Sequence, residues 1–191
     1  MASSTAIRRE HWLRVLAIIA LAAVILWLMG RTPICRCGTI KLWHGVVASS
    51  QNSQHIADWY SFSHIIHGSI FYGLLWLVAK KKPVGWRLVL ATAVEALWEV
   101  AENSPAIINR YRSATIALDY YGDSIINSVS DIGFMILGFM LARRLPVATT
   151  IILALVMELV TLIVIRDNLT LNVLMLLWPL KAVRHWQTGG L

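Results

Sequence analysis

The stretch SFSHIIHGSIFYGLLWLVA, residues 61–79, decides the fold. It contains no Asp, Glu, Lys or Arg, and it stops at Lys80-Lys81-Lys82-Pro83. A helix of ~20 residues crosses the ~30 Å hydrocarbon core of a bilayer. Working outward, similar blocks are predicted at about 12–30, 84–102, 123–142 and 146–165. A last apolar piece, about 169–180, is short for a span and is interrupted by Pro179. It suits an interfacial or re-entrant segment, with a sixth full span as the alternative. Of the 191 residues, 58% are hydrophobic and 14% charged, against ~25% charged in an ordinary soluble domain. The reading is an all-α polytopic helical membrane protein. It has five transmembrane helices plus a short C-terminal interfacial or re-entrant helix. One transmembrane domain covers 1–191, with outer loops at about 31–60 and 103–122.

The first apolar block follows Arg8, Arg9 and Arg14, as a signal peptide core would. It lacks a small-x-small cleavage site before Arg31 and runs longer than such a core, so it reads as a retained signal anchor. With the N-terminus cytoplasmic, the inner segments hold Arg8, Arg9, Arg14, Lys80, Lys81, Lys82, Arg87, Arg143 and Arg144. The outer segments hold only Arg31, Arg36, Lys41, Arg110, Arg112 and Arg166, spread over longer loops. The positive-inside rule favours this orientation. Trp27, Trp43, Trp59, Trp76, Trp86, Trp98 and Trp178 fall near predicted span ends, where interfacial anchors belong. The net charge of +7 reflects these basic loops, and no nucleic-acid partner is expected.

Seven of the ten acidic residues, Glu95, Glu99, Glu102, Asp119, Asp123, Asp131 and Glu158, lie in or beside predicted spans. Ionisable groups in hydrocarbon cost several kcal/mol unless paired or hydrated. Glu95, Glu99 and Glu102 recur at i, i+4 and i+7, one helix face. Asp123, Asn127 and Asp131 recur at i, i+4 and i+8. His64 and His67 lie one turn apart, beside Ser63. Counting ~1.5 Å per residue from the outer ends, His67 lies ~9 Å deep, Asp131 ~12 Å, and Glu99 and Glu95 ~5 and ~11 Å before Glu102. The three stripes overlap in the outer half of the bilayer.

Such a pocket admits two kinds of chemistry. His64, His67, Glu95, Glu99 and Asp131 offer imidazole and carboxylate ligands for a divalent metal such as zinc, which would activate water or polarise an ester. Without metal, crowded carboxylates cannot all ionise, and one becomes a general acid or shares a proton with another. The catalytic candidates are Glu99, Asp131, Asp123 and Glu95. Bland roles compete: Glu99 or Glu102 pairing with Arg110 or Arg112, Glu158 bonding a neighbouring helix, His64 as a packed helix–helix hydrogen bonder, His55 and Asp58 in a solvated loop. Cys35 and Cys37 could bridge each other, join another chain or bind a soft metal with His44, and a structural disulfide is expected over a metal site. No phosphate-binding glycine loop, serine nucleophile elbow or zinc-protease helix is present.

The segments Cys35-Arg36-Cys37-Gly38, Ser61-Phe62-Ser63-His64-Ile65-Ile66-His67-Gly68, Trp98-Glu99-Val100-Ala101-Glu102-Asn103 and Asp119-Tyr120-Tyr121-Gly122-Asp123-Ser124 resemble an uncharacterised family of alphaproteobacterial inner-membrane proteins. That resemblance implies the bacterial inner membrane and no known activity. More distantly, the chain is similar to VanZ-like membrane proteins. Their order of His, Glu, Arg, Asp, Asn and Gly would be filled by His64 or His67, Glu99, Arg112, Asp123, Asn127 and Gly133. The segment Asn127-Ser128-Val129-Ser130-Asp131 resembles one aspartate motif of lipoprotein signal peptidases, but the companion Gly-Asn-x-x-Asp-Arg is absent.

Three functions follow. The first is a membrane-embedded hydrolase or transferase acting on a lipid or lipid-linked substrate at the periplasmic leaflet. The second is a cation or small-solute binding or transport protein. The third is an accessory subunit whose polar network fixes helix packing, with an unidentified protein partner. The bilayer is a partner in all three.

Overall fold

The computed structural model describes residues 6–115 and 119–189, which form eight helices and no strand. In chain order these are α1 (Arg9–Leu28), α2 (Ser61–Val78), α3 (Val84–Glu102), α4 (Pro105–Ala114), α5 (Ile125–Arg144), α6 (Val147–Ile165), α7 (Leu169–Leu177) and α8 (Lys181–Thr188). Helix boundaries follow local chemistry. Pro83 and Pro146 directly precede α3 and α6, where a fixed φ is compatible with a helix start and interrupts any helix arriving from before it. Ser104, Ser124 and Asn168 accept hydrogen bonds from Ile107 N, Asn127 N and Leu171 N, capping α4, α5 and α7. Each cap satisfies a backbone donor that the first helical turn leaves unpaired.

α2 packs along α5, and two glycines set the closeness of that pair. A Cβ on Gly68 would overlap the carbonyl oxygen of Met135, and one on Gly138 would overlap the carbonyl of Ile65. Small residues allow backbones to approach in this way. α3 sits against α1, α2 and α5. Val15, Val84, Leu88, Ala91, Met135 and Phe139 fill the core near one end of the bundle. α6 buries only Thr161 and exposes a continuous apolar surface including Ile151, Leu155, Leu159 and Ile163. Contiguous apolar surface of this kind marks a face that meets lipid or protein rather than water.

Four helices, α1, α2, α5 and α6, are long and apolar enough to cross a membrane. α3 is 19 residues long but carries Arg87, Glu95, Glu99 and Glu102, so apolarity alone does not mark it. Its polar groups are accommodated by enclosure: Arg87, Thr92, Glu95 and Glu99 are all buried against neighbours. The expected outer loop at 103–122 contains a helix, α4, with Pro105 at its start. The segment at 169–180 forms a helix shorter than a span. α7 has 9 residues, a length of ~13 Å at ~1.5 Å per residue, and the chain breaks at Trp178-Pro179 before α8. Cys35 and Cys37 are joined by a disulfide.

Candidate functional site

The first turns of α2, the last turns of α3 and the first turns of α5 meet at the end of the bundle away from the apolar core. The helical repeat aims His64 and His67 of α2 at the Glu95–Glu99 face of α3, and α5 brings Asp131 to the same place. Glu95 Oε1 lies 2.6 Å from His64 Nδ1 and 3.1 Å from His67 Nδ1. His64 Nδ1 is also 3.5 Å from Glu99 Oε1, and His64 Nε2 is 3.8 Å from Asp131 Oδ2. Ser61 Oγ donates to Asp131 Oδ1 at 3.4 Å. Glu95 and Glu99 are fully enclosed, yet Glu95 Oε2 and both oxygens of Glu99 have no hydrogen-bond donor. A buried carboxylate without donors is costly unless a proton or cation compensates it.

A second group adjoins the first. Asp123, just before α5, accepts hydrogen bonds from Asn103 Nδ2 at 2.8 Å and Tyr120 OH at 3.0 Å. Its own N–H donates to Asn103 Oδ1 at 2.7 Å. Burial pushes the Asp123 carboxyl up to about 6, against the lowering effect of the Asn103 and Tyr120 bonds. Gly122 stands at φ +96° with Arg31 and Asn103 packed where a Cβ would be, which holds the Asp123 turn to glycine.

Three sets of side chains offer donor atoms within 4.8 Å of one another: His64, His67 and Glu95; His64, Glu99 and Asp131; Glu99, Glu102 and Asp123. These clusters have the composition and spacing to hold a metal. His64, His67, Glu102, Asp123 and Asp131 line a cavity of about 70 Å³, walled on one side by Leu169, Asn172 and Val173 of α7. Three side chains, Tyr111, Arg110 and Glu158, tie α7 in place. Tyr111 OH donates to Asn172 Oδ1 at 3.0 Å, Arg110 Nε donates to Leu176 O at 2.7 Å, and the Glu158 carboxylate accepts from Leu169 N at 2.9 Å and Thr170 N at 3.1 Å.

The structure thus brings His64, His67, Glu95, Glu99, Asp123 and Asp131 together, and adds Glu102. Glu102 does not pair with Arg110 or Arg112. Arg110 is occupied by α7 carbonyls, and Arg112 Nε donates to Tyr120 O. Of the residues in the VanZ-like order, Arg112 and Gly133 are exposed and lie outside the cluster. His55 and Asp58 are buried rather than solvated. Asp58 accepts from Ser53 N and Tyr60 N, closing the turn that starts α2, and burial raises its carboxyl above the usual range. The histidine beside Cys35 and Cys37 is His55, not His44. Asn103, Tyr60 and Tyr120 line or brace the site without any periodic signal. Asn103 and Tyr120 stand in the family-resembling segments, and the cue for Tyr60 is its adjacency to Ser61.

Long apolar helices enclosing a histidine–carboxylate cluster at one end define an all-helical membrane-type protein. The chain belongs to the family described as "Protein of unknown function (DUF2585)", whose model matches residues 26–189. Similar proteins include a UPF0314 protein of Paracoccus denitrificans, 59% identical with 94% of this chain and 92% of the relative covered. UPF0314 proteins of Sinorhizobium fredii (58% identical; 95% and 94% covered) and Sphingopyxis alaskensis (55%; 96% and 98%) are similar over comparable lengths. No solved structure matches the chain.

Proposed function

We propose that the chain is a divalent-metal-dependent enzyme of the bacterial inner membrane, a hydrolase or transferase acting on a lipid or lipid-linked substrate at the periplasmic leaflet. In this reading α3 is a fifth span, the N-terminus is cytoplasmic, and α7 lies at the outer interface. The carrying observation is Glu99: both carboxylate oxygens are buried, neither has a donor, and His64 and Asp131 offer ligand atoms beside it. His64 Nδ1 is engaged by Glu95, which leaves Nε2 facing Asp131 Oδ2 at 3.8 Å. That gap is too long for a hydrogen bond. A zinc ion with bonds of ~2.0–2.2 Å fits it.

His64, Glu99 and Asp131 are the ligands, and a water on the open position is the nucleophile. Glu95 fixes both histidine rings rather than binding metal, as carboxylates behind metal-bound imidazoles do. A transport path is disfavoured by the layer of Val15, Leu88, Ala91, Met135 and Phe139 beneath the site, since a transporter needs polar continuity or broken helices near the midplane.

The test is metal analysis of protein purified in detergent, for wild type, His64→Ala and Glu99→Gln. Stoichiometric metal in wild type and its loss in both folded variants is the expected result. Metal-free wild type that cannot be loaded with zinc or manganese would sink the reading.

A further inference from the structure

We infer that the site holds two metal ions bridged by the Glu99 carboxylate, and that its substrate is a lipid bearing a terminal phosphate. This rests on the metal-enzyme reading above and deepens it. Glu99 belongs to two of the ligand sets, one with His64 and Asp131, the other with Glu102 and Asp123. A single ion between His64 and Asp131 would engage one of its oxygens. The other is equally buried and equally without a donor, and so is available to the second set.

The two sets differ in chemistry. The first mixes imidazole with carboxylate, and the second is all carboxylate, which suits hard ions such as manganese or magnesium. Asp123 accepts one donor on each oxygen, which orients it and leaves lone pairs free for an ion.

The charge of the cavity wall selects the substrate. No Lys or Arg is among the described residues lining it. The three tyrosine hydroxyls at the wall are already committed: Tyr60 to Asp167, Tyr111 to Asn172 and Tyr120 to Asp123. The wall therefore offers an anionic substrate three carboxylates and no lysine or arginine, with only small polar groups such as Ser63 beside them. Two bridged cations reverse that field. A metal pair ~3.5–4 Å apart clamps the attacking and leaving oxygens of an in-line displacement, a task set by phosphoryl transfer.

Size narrows the class further. A cavity of about 70 Å³ takes roughly five water-sized groups at ~10–15 Å³ each. That is room for a phosphoryl group and its water, with the rest of the lipid outside. Trp98, Leu169 and Val173 on the same wall give the lipid tail an apolar way out between α3 and α7.

The step balances without a redox partner. The oxygen of water bonds to phosphorus. The bond from phosphorus to the lipid oxygen breaks, and that oxygen takes the electron pair. One proton of the water goes to the leaving alkoxide. The products are a lipid alcohol or glyceride and inorganic phosphate.

The experiment uses the full chain in detergent, stripped with chelator and reloaded with manganese. Ions per chain, the electron paramagnetic resonance spectrum, and inorganic phosphate released from dioleoyl phosphatidic acid in mixed micelles are read together. Wild type is expected to bind two manganese ions with a spin-coupled spectrum and to release phosphate. Glu102→Gln is expected to keep one uncoupled ion and to lose phosphate release by about 100-fold or more. Asp123→Asn, with the same melting midpoint as wild type, serves as the second variant and should behave alike. One ion in loaded wild type, or two uncoupled ions, overturns the bridged pair while the mononuclear enzyme stands. No ion in any condition overturns both readings. A coupled pair with no phosphate release overturns the substrate class.

Discussion

Glu95 Oε1 stands 2.6 Å from His64 Nδ1, and this contact fixes which ring nitrogen of His64 remains available. An ionised carboxylate only accepts, so Nδ1 carries a hydrogen, and Nε2 holds the lone pair when the ring is neutral, the form that binding a metal requires. Nε2 is the atom that faces Asp131. The same Glu95 oxygen reaches His67 Nδ1 at 3.1 Å, so one buried carboxylate sets the orientation of two imidazoles from the next helix.

Glu95→Gln therefore tests positioning rather than ligation. The amide keeps the volume but weakens a charge-assisted bond and can present an N–H to the ring instead. Metal affinity should fall ~10–100-fold, the range seen when groups behind metal-bound histidines are changed. The fold should be retained. Titration against buffered free zinc reads the affinity, and an unchanged value would remove Glu95 from this role.

The α2–α5 contact gives a second prediction. Gly68→Ala and Gly138→Ala each drive a methyl into the facing backbone, so the helices must separate along the seam that carries His64 and Asp131. Each should destabilise the protein by ~1–3 kcal/mol, as overpacking does. Gly73→Ala, whose Cβ would meet nothing within 4 Å, should be neutral or mildly stabilising, because alanine is the better helix former. Unfolding in mixed detergent micelles ranks the three variants. Equal behaviour of Gly68→Ala and Gly73→Ala would contradict the close crossing.

How much of this was legible in the sequence depended on periodicity. The i, i+4, i+7 run of Glu95, Glu99 and Glu102 and the His64–His67 pair are spaced by the helix itself, so their faces were readable before any packing was known. Length and apolarity also delimited α1, α2, α5 and α6. Loop-borne contacts were not readable in this way. Asp58, His55 and Asn103 are buried by tertiary folding of the segments between helices, and polar composition there implied solvent. α4 was hidden because Asn109, Arg110 and Arg112 make it polar on one side, while Ile108 and Tyr111 on the other are buried. Sequence proximity offered Glu102 a nearby arginine as an alternative partner, but Arg110 is drawn off by the carbonyls of Leu176 and Leu177.

Glu158 gives a third prediction. It lies on α6, yet its carboxylate accepts from Leu169 N, Thr170 N and Thr170 Oγ1 at the start of α7. A negative group at a helix N-terminus is favourable both as a hydrogen-bond acceptor and toward the helix dipole. Glu158→Ala should cost ~1–2 kcal/mol, comparable to loss of a strong cap, and the loss should be local. Amide hydrogen exchange should quicken across 169–177 and stay unchanged in α2, α3 and α5. Uniform quickening of all helices would show instead that α7 is integral to the bundle.

Asp167 supplies a pH test outside the apolar helices. It is buried, accepts from Tyr60 OH at 3.1 Å, Asn168 N at 3.0 Å and Gln187 Nε2 at 3.2 Å, and burial lifts its carboxyl to about 6 despite those bonds. The folded state thus holds the proton more tightly than the unfolded chain, where the value is 3.8. The stability this proton confers is complete below the unfolded value and is lost as pH rises toward about 6; above that the deficit is constant. About two pKa units correspond to ~3 kcal/mol. Asp167→Asn does not titrate, so its stability relative to wild type should improve between pH 4 and 7 by up to that amount. Paired unfolding curves across this range measure the difference directly. A gap that stays flat, or that narrows as pH rises, would mean that Asp167 is ionised without cost in the folded protein.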